Sequence, residues 1–112
     1  MSERLLLIDR DERHAERLTA RLRSCGRDVE ICTEHRRAIT ELRRYGDEYE
    51  GVIVDISDAV TPWFAMLQKL LEACRRLDGR PSPQFLCVSR TKKAPEFVLR
   101  LERMGARYVC EG

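Results

Sequence analysis

Short continuous apolar runs alternate along this chain with longer segments whose apolar residues recur every three or four positions. Residues 4–8 (RLLLI) are a run of the first kind, as expected of a strand buried on both faces. From Asp11 to Cys25 the periodicity changes. Ala15, Leu18, Leu22 and Cys25 share one helical face, arginines and glutamates fill the others, and Gly26 supplies the stop. Residues 28–32 (DVEIC) alternate like a strand. Thr33 is placed to cap a second helix, in which Ala38, Ile39, Leu42 and Tyr45 point inward before Gly46.

Residues 51–55 (GVIVD) form a second continuous apolar strand. Thr61-Pro62 reads as a helix start with proline at the first helical position, followed by a stripe of Phe64, Leu67, Leu70, Leu71 and Cys74 ending near Leu77. A loop over 78–83, a strand over 84–88, and a helix from Pro95 with Val98, Leu101 and Met104 inward come next. Gly105 stops that helix, and residues 106–110 (ARYVC) make a last strand.

Strands joined through single helices need crossover connections, and these build a parallel sheet with helices on both faces. The prediction is therefore a doubly wound, five-stranded α/β domain, (βα)4β, spanning residues 1–112, with no helix after the fifth strand. Without such a helix, apolar surface beside the first and fifth strands is expected to be bare. That fits a piece of a longer chain, a homodimer, or a partner that supplies the cover.

Composition narrows the picture. The chain is 43% hydrophobic and 36% charged with a formal net charge of +2, and its basic residues are dispersed. A basic face for nucleic acid is not expected. Five cysteines without a CxxC pair read as reduced, mostly buried thiols rather than a zinc site, which places the protein in the cytoplasm. No apolar run approaches the ~20 residues of a membrane span, and no signal peptide is expected. No Gly-rich phosphate loop or nucleophile elbow supports an enzyme.

In doubly wound sheets the functional crevice lies at the carboxyl ends of the strands. Those ends carry Asp9, Arg10 and Asp11, then Asp55, Ser89 and Glu111. Asp58 reads as a turn or cap residue. Trp63 and Phe64 read as core or partner-facing surface, Lys92 and Lys93 as a solvated loop, and His14 and His35 as lone histidines without ligand partners nearby.

The segments LLLIDRD, GVIVD, FLCVS and GARYVCEG, taken together, resemble the receiver domain of bacterial response regulators, a CheY-like, flavodoxin-like fold. The resemblance implies Asp55 as phosphoacceptor, Ser89 as switch hydroxyl, and Asp9 with Asp55 as ligands to Mg²⁺. Arg10 stands where the second acid belongs, and Glu111 where the lysine belongs. Loss of a ligand weakens Mg²⁺ binding, and Glu111 opposes a phosphate. The expectation is a degenerate receiver without a cofactor, acting through a signalling protein partner such as a histidine kinase or a downstream protein. Arg10 is expected to lock the pocket by pairing with Asp55 or Glu111. The alternative is a working receiver that accepts phosphate on Asp55 with Mg²⁺.

Overall fold

The structure, a computed structural model, describes residues 4–75 and 82–111. The chain runs through β1 (Arg4–Ile8), α1 (Glu12–Ser24), β2 (Asp28–Cys32), α2 (His35–Tyr45), a short 3₁₀ turn (Gly46–Glu48), β3 (Gly51–Asp55), α3 (Trp63–Ala73), β4 (Gln84–Ser89), α4 (Pro95–Arg103) and β5 (Ala106–Cys110). All neighbouring strands are parallel, in the order β2-β1-β3-β4-β5. This is the flavodoxin-like architecture that the alternating pattern implies. The chain leaves β1 for one edge and returns on the other side of it as β3, so the switch point lies between the ends of these two strands.

Each face of the sheet is buried by helices for the reason its sequence states. Leu6, Ile8, Val52, Val54, Phe85 and Cys87 meet Ala38 and Leu42 of α2, Leu67 and Leu70 of α3, and Leu101 of α4. Leu7, Val29, Ile53 and Val88 face the other way and meet Ala15, Leu18 and Leu22 of α1. Among the described residues, α1 alone covers that second face, and Val109 at its β5 edge is 48% exposed. The bare surface expected near the fifth strand is thus visible at Val109, whereas Leu7 and Val88 remain buried.

Helix boundaries follow local chemistry. The Asp11 carboxylate accepts a hydrogen bond from the His14 amide at 3.2 Å and caps α1. Gly26, at φ +84°, and Gly105, at φ +101°, turn the chain from helix into strand through conformations that other residues rarely adopt.

Several local expectations are corrected. Thr33 does not cap α2; Glu34 stands at that position and its side chain makes no capping bond. Tyr45 is exposed, because the 3₁₀ turn brings Tyr49 into the core in its place, with its hydroxyl 2.7 Å from Glu41. Pro62 precedes the first turn of α3, which begins at Trp63. Cys74 and Cys87 are buried, but Cys25 and Cys110 are exposed: one lies just past the end of α1, the other on the edge strand β5. The helix expected to run to about Leu77 ends earlier, α3 closing at Ala73 with Cys74 as its cap; much of the loop over 78–83 lies outside the described residues. No helix among the described residues is long and apolar enough to cross a membrane.

Candidate functional site

At the ends of β1 and β3 the two segments turn in the same way. One oxygen of Asp9 accepts from the Asp11 amide at 3.0 Å, and one oxygen of Asp55 accepts from the Ser57 amide at 2.9 Å. Each carboxylate is thereby pinned by its own turn, with its second oxygen turned toward its neighbour. Both residues are buried, at 2% and 7% exposure. Two buried carboxylates side by side need a compensating positive charge, since an unpaired buried charge costs several kcal/mol.

His14, in the first turn of α1, supplies that charge. Its Nδ1 is hydrogen-bonded to Asp9 Oδ2 and lies 3.3 Å from Asp55 Oδ2. Its Nε2–H donates to Glu111 Oε2 at 3.0 Å. Glu111 is held there by continuation of the β4–β5 ladder, its amide donating to the Ser89 carbonyl at 2.8 Å. A carboxylate at each ring nitrogen means that both nitrogens donate, which defines an imidazolium. Burial works against that charge, but the bonds to Glu111 and Asp9 outweigh it and raise His14 above its ordinary value. Burial also raises Asp9, against the opposing bonds from His14 and the Asp11 amide. Both directions favour keeping the proton between the two groups.

The residues singled out in the sequence are placed differently from one another. Asp9, Asp55 and Glu111 converge on His14. Arg10 does not: its guanidinium is 64% exposed and sits 3.5 Å from Asp58, not near Asp55 or Glu111. Successive residues at a strand end point to opposite sides, so Arg10 turns away where Asp9 turns in. Asp11 is occupied as the α1 cap and by Arg90, whose Nη1 lies 3.0 Å from its other oxygen. Asp58 organises the loop before α3, accepting from the Val60 amide at 2.7 Å and the Thr61 hydroxyl at 2.5 Å, while its carbonyl accepts from the Trp63 indole at 2.6 Å. These bonds, the Thr61 hydroxyl foremost, hold its carboxyl below the ordinary value.

Ser89 is fully buried, and its hydroxyl donates to the Thr91 carbonyl at 2.6 Å. The Tyr108 hydroxyl lies 2.5 Å from the Ser89 hydroxyl and also accepts from the Lys93 amide at 3.1 Å. Ser89 therefore joins β4, β5 and the loop before α4. Lys93 extends over the Phe97 ring, 5.4 Å from its centroid. His35 packs edge-on against Trp63 with ring centroids 5.3 Å apart. An open cleft of about 560 Å³ above Asp9 and Asp55 is rimmed by Arg10, Asp58, Trp63 and Arg90.

Reading the sequence alone missed His14, Tyr108 and Arg90. For His14 a signal existed, because it stands four residues before Leu18 and eight before Leu22, on the inward stripe of α1.

Mg²⁺, which the resemblance implies, requires near-octahedral oxygen ligands and leans on one or two carboxylates. Here an imidazole nitrogen faces both carboxylates and Asp11 is engaged elsewhere. The donor set does not fit Mg²⁺.

No protein-family model matches the sequence, and comparison with curated proteins returns no match. Solved structures do share the fold. A CheY-like receiver domain protein from Methanospirillum hungatei JF-1 is 18% identical with a TM-score of 0.75, over 99% of this chain and 82% of its own. The receiver domain of the Francisella response regulator 1452 is 14% identical with a TM-score of 0.74, over 96% and 83%. A Burkholderia pseudomallei K96243 protein described as pilus assembly-related is 16% identical with a TM-score of 0.76, over 96% and 77%. The chain thus has the fold of CheY-like receiver domains.

Proposed function

We propose that this domain is a receiver-like signalling module in which the His14 imidazolium replaces the metal, and that it acts by binding a protein partner rather than by accepting phosphate. The observation that carries this reading is His14 set among Asp9, Asp55 and Glu111. Phosphoryl transfer to Asp55 needs cations to neutralise the incoming oxygens. Here the available positive charge is already shared among three carboxylates, and Glu111 adds negative charge at the fifth strand's end. The domain is not itself an enzyme in this reading. Its partner is a histidine kinase, a downstream signalling protein or a second copy of the chain, in the cytoplasm and without nucleic acid or membrane. Because one structural neighbour is pilus assembly-related, the partner need not belong to a two-component pair.

The competing reading is a working receiver, favoured by Asp55 Oδ2, which accepts no hydrogen bond from the described residues. Incubation with acetyl phosphate and Mg²⁺, followed by intact mass, separates the two. No phosphoryl adduct is expected; an adduct lost in Asp55→Ala would establish the second reading.

A further inference from the structure

Asp9, His14 and Asp55 each offer one donor atom, and the three atoms lie within 4.8 Å of one another. Three features of this cluster suit a bound metal ion. Among the described residues, Asp55 Oδ2 is buried without a hydrogen-bond partner, although the other oxygen of the same carboxylate has one. A buried acceptor left in that condition is costly and is rare unless a ligand completes it.

The second feature is spacing. Two ligands bound tetrahedrally to one ion at about 2.0–2.1 Å stand about 3.3–3.4 Å apart. His14 Nδ1 and Asp55 Oδ2 are 3.3 Å apart. The third is the outer contact. Histidines that bind metals almost always donate the second ring N–H to a carboxylate, a backbone carbonyl or water, which fixes the ring and leaves the first nitrogen's lone pair for the ion. His14 Nε2–H does this toward Glu111 at 3.0 Å, across the fold from β5.

We infer that Asp9, His14 Nδ1 and Asp55 form a binding site for a divalent transition-metal ion of the Zn²⁺ type, with Glu111 orienting the imidazole. This rests on the reading above, that the pocket is not a Mg²⁺ and phosphoryl site, with the imidazolium as its metal-free state. The ion takes the place of the Nδ1 proton, which leaves to solvent, and Asp9 draws back from the ring to admit it. Two carboxylates neutralise the ion's two charges, and a fourth position on the cleft side is left for water. One imidazole with two carboxylates suits zinc and its neighbours, whereas an all-oxygen set would suit Mg²⁺. The ion would link β1, α1 and β3 directly and β5 through Glu111, so occupancy stabilises the whole pocket by mass action.

The test is a Co²⁺ titration of the full chain carrying Cys25→Ser and Cys110→Ser, which removes the exposed thiols as competing ligands. Tetrahedral d–d absorption should saturate at one equivalent and be displaced by Zn²⁺ but not by millimolar Mg²⁺. His14→Ala should abolish the signal. Glu111→Gln, which leaves every proposed ligand in place, should weaken binding by about 10–100-fold. No tetrahedral absorption, or unchanged binding in Glu111→Gln and His14→Ala alike, would overturn the site, as would Mg²⁺ competing on equal terms. A phosphoryl adduct on Asp55 overturns the underlying reading of the pocket. Failure of Co²⁺ uptake alone removes the metal site and leaves that reading standing.

Discussion

His14 and Glu111, 97 positions apart in sequence, meet through a 3.0 Å hydrogen bond that ties the first turn of α1 to the end of β5. Its other ring nitrogen holds Asp9, so a single side chain balances carboxylates from both ends of the chain.

Removing that side chain leaves Asp9 and Asp55 buried without a counter-charge. His14→Ala is expected to cost about 3–5 kcal/mol of stability, the range for breaking a buried ion pair. Urea unfolding of His14→Ala, Asp9→Asn and the double variant checks this. The double variant should lose less than the sum of the single ones, because the two groups share one interaction.

Arg10 gives the contrasting outcome. Its guanidinium is exposed and, among the described residues, pairs with Asp58 at 3.5 Å. Arg10→Ala is expected to shift stability by less than about 1 kcal/mol. A loss as large as that of His14→Ala would return the pocket's balancing charge to Arg10.

The pH dependence follows from the direction of the His14 shift. Its folded value lies above the ordinary 6.5, with burial opposed and outweighed by Glu111 and Asp9. A raised value means that its stabilisation is complete below pH 6.5 and is lost as pH rises through the folded value. Urea midpoints measured with a chelator present should therefore decline above pH 6.5. His14→Phe should remove that decline.

Tyr108 bridges Ser89 and the Lys93 amide. Tyr108→Phe should cost about 0.5–1.5 kcal/mol for each of these bonds. Amide hydrogen exchange provides the specific readout, with Lys93 losing protection while β1 and β3 keep theirs.

Thiol reactivity should sort the five cysteines by position. Cys25 and Cys110 are exposed and should alkylate rapidly in the native protein. Burial pushes the Cys87 thiol up to about 12, so at pH 8 it stays protonated and inert until the chain unfolds. Peptide mass analysis before and after denaturation reads this directly.

The strands were legible because apolar runs such as 4–8 and 51–55 are too short for a buried helix and too apolar for a surface loop. Asp9 and Asp55 followed from topology alone. Arg10 and His14 were misread for the same reason: neighbourhood in sequence stood in for direction in space. Arg10 adjoins Asp9 along the chain yet points the opposite way. His14 lies amid charged residues and looks solvated, until the i+4 spacing to Leu18 is followed inward. Its partner Glu111 could not be found locally at all, because only closure of β5 against β4 brings it near.

That closure makes the pocket a register of how far the sheet is assembled. Asp9 and Asp55 end β1 and β3, which pair with each other inside the sheet, and His14 lies in the helix that follows β1. Glu111 is brought in only when β5, at the edge, pairs with β4. Local opening of that edge strand would release the outer nitrogen of His14 while the carboxylate pair stays in place. The charge balance of the pocket therefore reads the state of an edge strand that contributes none of its own residues to the carboxylate pair.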